Sequence, residues 1–140
     1  MRIRLVVFGI LVTALVPAIA LAAPQKNSLH ANLTGGAETP KGDPDGRGTA
    51  EIKITGRQVC WELTVSKIGK PNASHIHKGK AGIAGPVVVP LGATYKAKGC
   101  TRTTAAMASA IRAKPTTFYV NVHNVKYPGG AVRGQLRNDN

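Results

Sequence analysis

Acidic residues, cysteines, histidines and aromatics are all scarce in this chain. Its 140 residues include 6 Asp+Glu against 19 Lys+Arg, with 2 Cys, 4 His, 1 Trp, 3 Tyr and 2 Phe. Each shortage closes off a class of function. Cys60 and Cys100 form no C-x-x-C spacing, so a thiolate metal site is not expected. Too few aromatics interleave with the basic residues to make the stacking platform of a nucleic-acid binder. The acids give no positional support for a glycosidase pair. Glu38, Asp43 and Asp45 gather in one Gly/Pro-rich loop, and Glu51 and Glu62 fall at exposed-reading strand positions. The serines lack a nearby Asp-His arrangement, and neither G-x-S-x-G nor a phosphate loop occurs. Residues 79–85 are glycine-rich, but no helix follows them, so they read as a flexible loop. The length itself excludes a multi-domain enzyme or a barrel of about 250 residues, and one domain is expected.

What is present begins with an export signal. Arg2 and Arg4 precede an apolar stretch from Leu5 to Val16, Pro17 breaks it, and Ala18, Ala20, Ala22 and Ala23 follow. This is the pattern of a secretory signal with an A-x-A site, and cleavage is placed after Ala22. An uncleaved anchor would need about 20 apolar residues, which this run does not reach, and no stop-transfer pattern follows. The chain therefore divides into a signal at 1–22, a polar lead-in at 23–28, a folded domain at 29–137 and a tail at 138–140. Removing the signal leaves 118 residues with 17 basic and 6 acidic side chains, a net charge of +11. The product is expected to be secreted or periplasmic, with no transmembrane segment. In that oxidising setting Cys60 and Cys100 pair by default. The dispersed lysines point to an anionic cell-envelope surface as a partner, and nucleic acid is not expected.

Alternation of apolar and polar residues predicts strands at 29–34, 49–55 and 58–67, the last two joined at Gly56-Arg57 as a hairpin. Cys60 lies on the face of its strand opposite Val59, Trp61 and Leu63, so the segment carrying Cys100 is expected to cover that face. Residues 73–77 read as a short extended piece, and 86–91 as a buried strand. Residues 103–113 favour a helix, capped by Thr103 or Thr104 and stopped by Pro115. Strands at 116–124 and 131–136 flank a Tyr-Pro-Gly-Gly turn. Short strands at this spacing, with one inserted helix, indicate an all-β sandwich.

Three histidines carry the candidate chemistry. His75 and His77 are two apart, so in a strand they share a face, and His123 shares a face with Asn121. If these strands are neighbours, three imidazoles converge as a trigonal or open tetrahedral site for copper or zinc. The alternative is that the rings merely bond backbone carbonyls. Arg133 follows the last turn. It reads either as a cation beside the histidines that draws in a small anion or pairs with a carboxylate, or as a guanidinium that bonds loop carbonyls and pins the final hairpin.

Several segments then carry a resemblance. Gly-Asp-Pro-Asp-Gly-Arg-Gly-Thr-Ala (42–50), Val-Cys-Trp-Glu-Leu-Thr-Val (59–65), Ser-His-Ile-His-Lys-Gly (74–79) and Gly-Pro-Val-Val-Val-Pro-Leu (85–91) resemble the chordin-type CHRD domain. So do Tyr-Val-Asn-Val-His (119–123) and Pro-Gly-Gly-Ala-Val-Arg-Gly-Gln-Leu (128–136), so that nearly all of 29–136 is covered in order. The resemblance implies an immunoglobulin-like sandwich in an exported protein. The chain lacks chordin's cysteine-rich modules, so growth-factor binding is not carried over. A more distant resemblance is to the Greek-key sandwich of copper–zinc superoxide dismutase, whose copper site uses an H-x-H strand, a later V-x-H strand and an arginine. His75, His77, His123 and Arg133 occur in that order. With only His30 left over, the binuclear site cannot be built, but a mononuclear copper site can. The expectation is thus a non-catalytic exported binding or structural module, not an enzyme. The alternative is a mononuclear three-histidine copper protein, with zinc the weaker candidate.

Overall fold

The computed structural model describes residues 28–139, so the signal and all but the last residue of the lead-in lie outside the described residues. The strands are β1 (Ser28–Thr34), β2 (Arg47–Thr55), β3 (Gln58–Ser66), β4 (Pro71–Lys78), β5 (Val87–Pro90), β6 (Lys98–Arg102), β7 (Phe118–Asn124), β8 (Val132–Gln135) and β9 (Arg137–Asn138). One helix, α1 (Ala105–Ala113), lies between β6 and β7. Pairing is antiparallel throughout, in the order β5-β4-β7-β8-β1-β2-β3-β6, with β9 added to β1. β8 meets β1 through the single pair Thr34–Arg133. There the sheet folds over, so that β5-β4-β7-β8 faces β1-β2-β3-β6 across one core. The chain crosses between these layers after β3, after β5, after β6 and, on entering β9, after β8. The fold is the all-β sandwich with one short helix that the strand spacing predicts.

Alternation explains the core. Leu29, Ala31 and Leu33 of β1, Ala50, Ile52 and Ile54 of β2, and Val59, Trp61 and Leu63 of β3 are buried, while their polar neighbours point outward. The opposite layer supplies Ile76, Val120, Val122 and Val132 to the same cluster. Gly56 turns the β2–β3 hairpin at φ 57, a conformation glycine adopts without steric cost. Thr104 caps α1 by accepting the Met107 N–H at 3.1 Å, and Ala108 and Ile111 anchor the helix to the core. Pro115 opens a 3₁₀ turn at Pro115–Thr117, which delays the next strand to Phe118. No helix among the described residues is long and apolar enough to cross a membrane.

Three expectations are corrected. The Cys100 segment does not cover the outer face of β3. It is the strand β6, paired edge-on with β3 so that Cys60 stands opposite Cys100 and the two form a disulfide at a Cα–Cα distance of 4.0 Å. The apolar run at 86–91 is not a buried strand but an edge: Val87 is 46% exposed, and Val89 is the buried residue of β5. Among the described residues nothing pairs with the free side of β5, and that position tolerates Pro86 and Pro90. Finally, Asn138 is not tail but the end of β9, opposite Leu29.

Candidate metal centre

β4 and β7 are neighbours, with Ala73 opposite His123, His75 opposite Asn121 and His77 opposite Tyr119. β8 continues the rows, placing Arg133 beside Asn121 and Gln135 beside Tyr119. Alternation puts all these side chains on the face turned away from the core. A face of this kind normally meets water, yet here it is roofed. The segment at 35–43 docks through Asp43 N–H to the Ala131 carbonyl at 2.8 Å, and the loop at 79–85 through Gly79 N–H to the Thr117 carbonyl at 2.8 Å. Every residue of β7 is therefore buried.

The roof and the turn between β7 and β8 fix the imidazoles. His77 Nδ1 lies 2.8 Å from the Gly85 carbonyl, and His123 Nδ1 lies 2.9 Å from that of Pro128. Carbonyls only accept, so each Nδ1 carries the proton and each Nε2 presents a lone pair. His75 Nδ1 then donates to His123 Nε2 at 3.0 Å. One nitrogen from each of the three rings lies within 4.8 Å of the others. A metal-ligating histidine commonly has this arrangement, one nitrogen on a backbone carbonyl and the other turned to the ion. Tyr119 stacks on His77 at 4.8 Å between centroids, and its hydroxyl accepts from the Gly85 N–H.

Burial depresses the basicity of the whole cluster. His75 is pushed down to about 4, first by loss of water and then by the other two rings. Burial also lowers His77 and His123, against the opposing hydrogen bonds to Gly85 and Pro128. All three are uncharged at neutral pH, the form that binds a metal.

Arg133 is 1% exposed. Its guanidinium donates to the Ile83 carbonyl at 3.1 Å and to the Lys80 carbonyl at 3.0 Å, and it lies 3.8 Å over the Tyr119 ring. It pins the 79–85 loop onto β8, which is the loop-carbonyl role, applied to that loop and not to the last hairpin. Gln135 ties down the same region through Gly79, Thr116 and Phe118.

The sequence gives no sign of Glu38's importance. It is 5% exposed, and burial raises its carboxyl to about 7, opposed by Arg133, the Thr39 N–H and Asn121. Gly130, at φ 141, makes room for it: a Cβ there would stand 2.1 Å from Glu38 Oε1. Glu38, Arg133, Gln135 and Lys41 also border a cleft of about 600 Å³ between the two roofing segments. Loop composition alone groups Glu38 with Asp45, which is exposed, and no local pattern separates them.

A second cluster, His30, Glu51 and Asp139, also brings donor atoms within 4.8 Å. There His30 Nδ1 pairs with Glu51 and Nε2 with Asn32 at 2.7 Å, so both ring nitrogens are engaged. Glu51 raises the basicity of His30, and the pair clamps β1 to β2.

The family model for the CHRD domain matches residues 29–136. The chain belongs to the CHRD domain family. Comparison with curated proteins and with solved structures gives no match. The matched span of the CHRD domain runs from the second residue of β1 to the residue after β8, and includes all three histidines, Arg133 and both cysteines. The family and the Cys60–Cys100 disulfide both fit an extracellular type of module.

Proposed function

We propose that this CHRD domain is a non-catalytic, exported binding module that holds one transition-metal ion on His75, His77 and His123. The observation that carries the reading is the pair of carbonyl-fixed tautomers, which turns lone pairs of His77 and His123 into one cluster with His75. Copper is favoured over zinc, because imidazole sets bind Cu²⁺ more tightly along the divalent series. The groups beside the rings support binding in preference to turnover, since Arg133 and Gln135 are engaged in holding loops. The signal at 1–22 and the disulfide support a secreted or periplasmic site of action. The excess of basic residues supports attachment to an anionic cell envelope.

Metal analysis of protein recovered from its native compartment tests the reading. About one ion per chain is expected in wild type, lost in both His75→Ala and His123→Ala. Sub-stoichiometric metal unchanged by either substitution would sink it.

A further inference from the structure

Next to the three histidines two buried acceptors have nothing to accept. His77 Nε2 and Asn121 Oδ1 are both out of contact with water and without a hydrogen-bond partner. Each bare buried group costs about 1–3 kcal/mol, so two in one cluster call for a species that both can bind.

The mismatch is enforced from both ends. The Gly85 carbonyl holds the His77 proton on Nδ1, which leaves Nε2 a lone pair. Asn121 lowers the Glu38 carboxyl on one side and raises the His77 ring on the other, the pattern of an amide with its N–H toward Glu38 and its Oδ1 toward His77. A rotated amide would offer Nδ2 to His77, but it would then set Oδ1 against the ionised form of Glu38. The two lone pairs are left facing one another while an ionised Glu38 takes the N–H. Asn121 also stands opposite His75 and shares a face with His123, so its oxygen belongs to the same cluster.

We propose that Asn121 Oδ1 is a fourth donor of the metal centre, completing an N₃O set with His75, His77 and His123, and that Glu38 is the positioning residue that keeps this oxygen forward. The inference rests on the metal-binding reading above and narrows its ligand class. Three imidazoles and one amide oxygen suit a divalent ion such as Zn²⁺ or Cu²⁺, whereas Cu⁺ is selected by softer thiolate and thioether donors.

Calorimetric titration with Zn²⁺ alone, on protein purified after expression of the full chain, tests the assignment, with thermal melts in chelator reporting the fold. Asn121→Leu removes the oxygen and is expected to bind at least tenfold more weakly than wild type. Asn121→Asp keeps an oxygen and is expected to bind at least as tightly as wild type. Glu38→Gln supplies an amide that can donate to Asn121 Oδ1, freeing Nδ2 to cap His77, and is expected to bind at least fivefold more weakly. Adding Asn121→Asp to Glu38→Gln restores binding, since a carboxylate presents an oxygen in either orientation. Wild-type affinity in Asn121→Leu, or Asn121→Asp weakening alongside it, overturns this inference and leaves the three-histidine reading standing. If Asn121→Leu does not fold, Asn121→Asp and the Glu38 pair decide the matter on the same criteria. Wild type that takes no Zn²⁺ and no Cu²⁺ overturns both.

Discussion

Glu38 sits under the roof with one oxygen unpartnered, beside an Arg133 whose hydrogen bonds go to Ile83 and Lys80. Its carboxyl, raised from 4.5 to about 7, favours the folded state below pH 4.5, and that contribution is lost as the pH rises through 7. His75 acts in the opposite sense. Lowered from 6.5 to about 4, it leaves stability intact above pH 6.5 and removes it as the pH falls toward 4. The Glu38 effect is on the order of 3 kcal/mol, and that of the half-buried His75 is smaller because water screens it. Between pH 4.5 and 6.5 Glu38 opposes His75, whose effect His77 and His123 reinforce, so metal-free wild type should gain less melting temperature with pH there than a chain without the buried acid. Glu38→Gln removes one side of the balance. Its melting temperature should climb with pH across that window and exceed that of wild type at pH 8, as a series of thermal melts in chelator would report. A parallel response in the two proteins would show that Glu38 is not held as a buried acid.

At the scale of elements, β6 and α1 depend on different forces. Lys98-Gly-Cys-Thr-Arg has no apolar alternation, and Gly99 is needed because a Cβ there would meet Trp61 Cζ2 at 2.5 Å. The strand is held by its ladder with β3, by the Trp61 indole bonded to the Lys96 carbonyl, and by the disulfide. Closing a loop of 40 residues is worth about 4 kcal/mol in the chain-entropy model. Cys60→Ser with Cys100→Ser should lower the denaturant midpoint by the corresponding amount. Thr104→Ala should cost about 1 kcal/mol by the same measurement, since it frees the Met107 N–H at the start of α1. The paired strands β1, β2 and β3 were legible because one face meets the core and the other meets water. β6 was not, because its position comes from a partner strand and a covalent bond. The edge position of β5 was hidden because an apolar run reads alike whether or not a further strand covers it.

Across the described residues, the excess of basic side chains is spread over strand faces and loops while the histidine cluster stays neutral under its roof. Charge and metal site are thus separable. Retention on anionic vesicles should fall steeply as salt is added, because exposed charges are screened beyond about 8 Å at physiological ionic strength. The same retention should be unchanged by His75→Ala. Salt-independent retention would rule out a charge-driven partner.

Period-two patterning, a single pair of cysteines and the order of His75, His77, His123 and Arg133 were determined by sequence alone, together with the all-β class and the one helix. These are local or countable properties, written residue by residue. Which strands become neighbours is not local. Only the fold set β4 against β7 so that the three rings meet. Only the fold laid 35–43 and 79–85 over that face and brought in Glu38 from a loop that looked like surface. Packing across the sheet also decided where the ring protons sit, since the Gly85 and Pro128 carbonyls hold them on Nδ1 of His77 and His123.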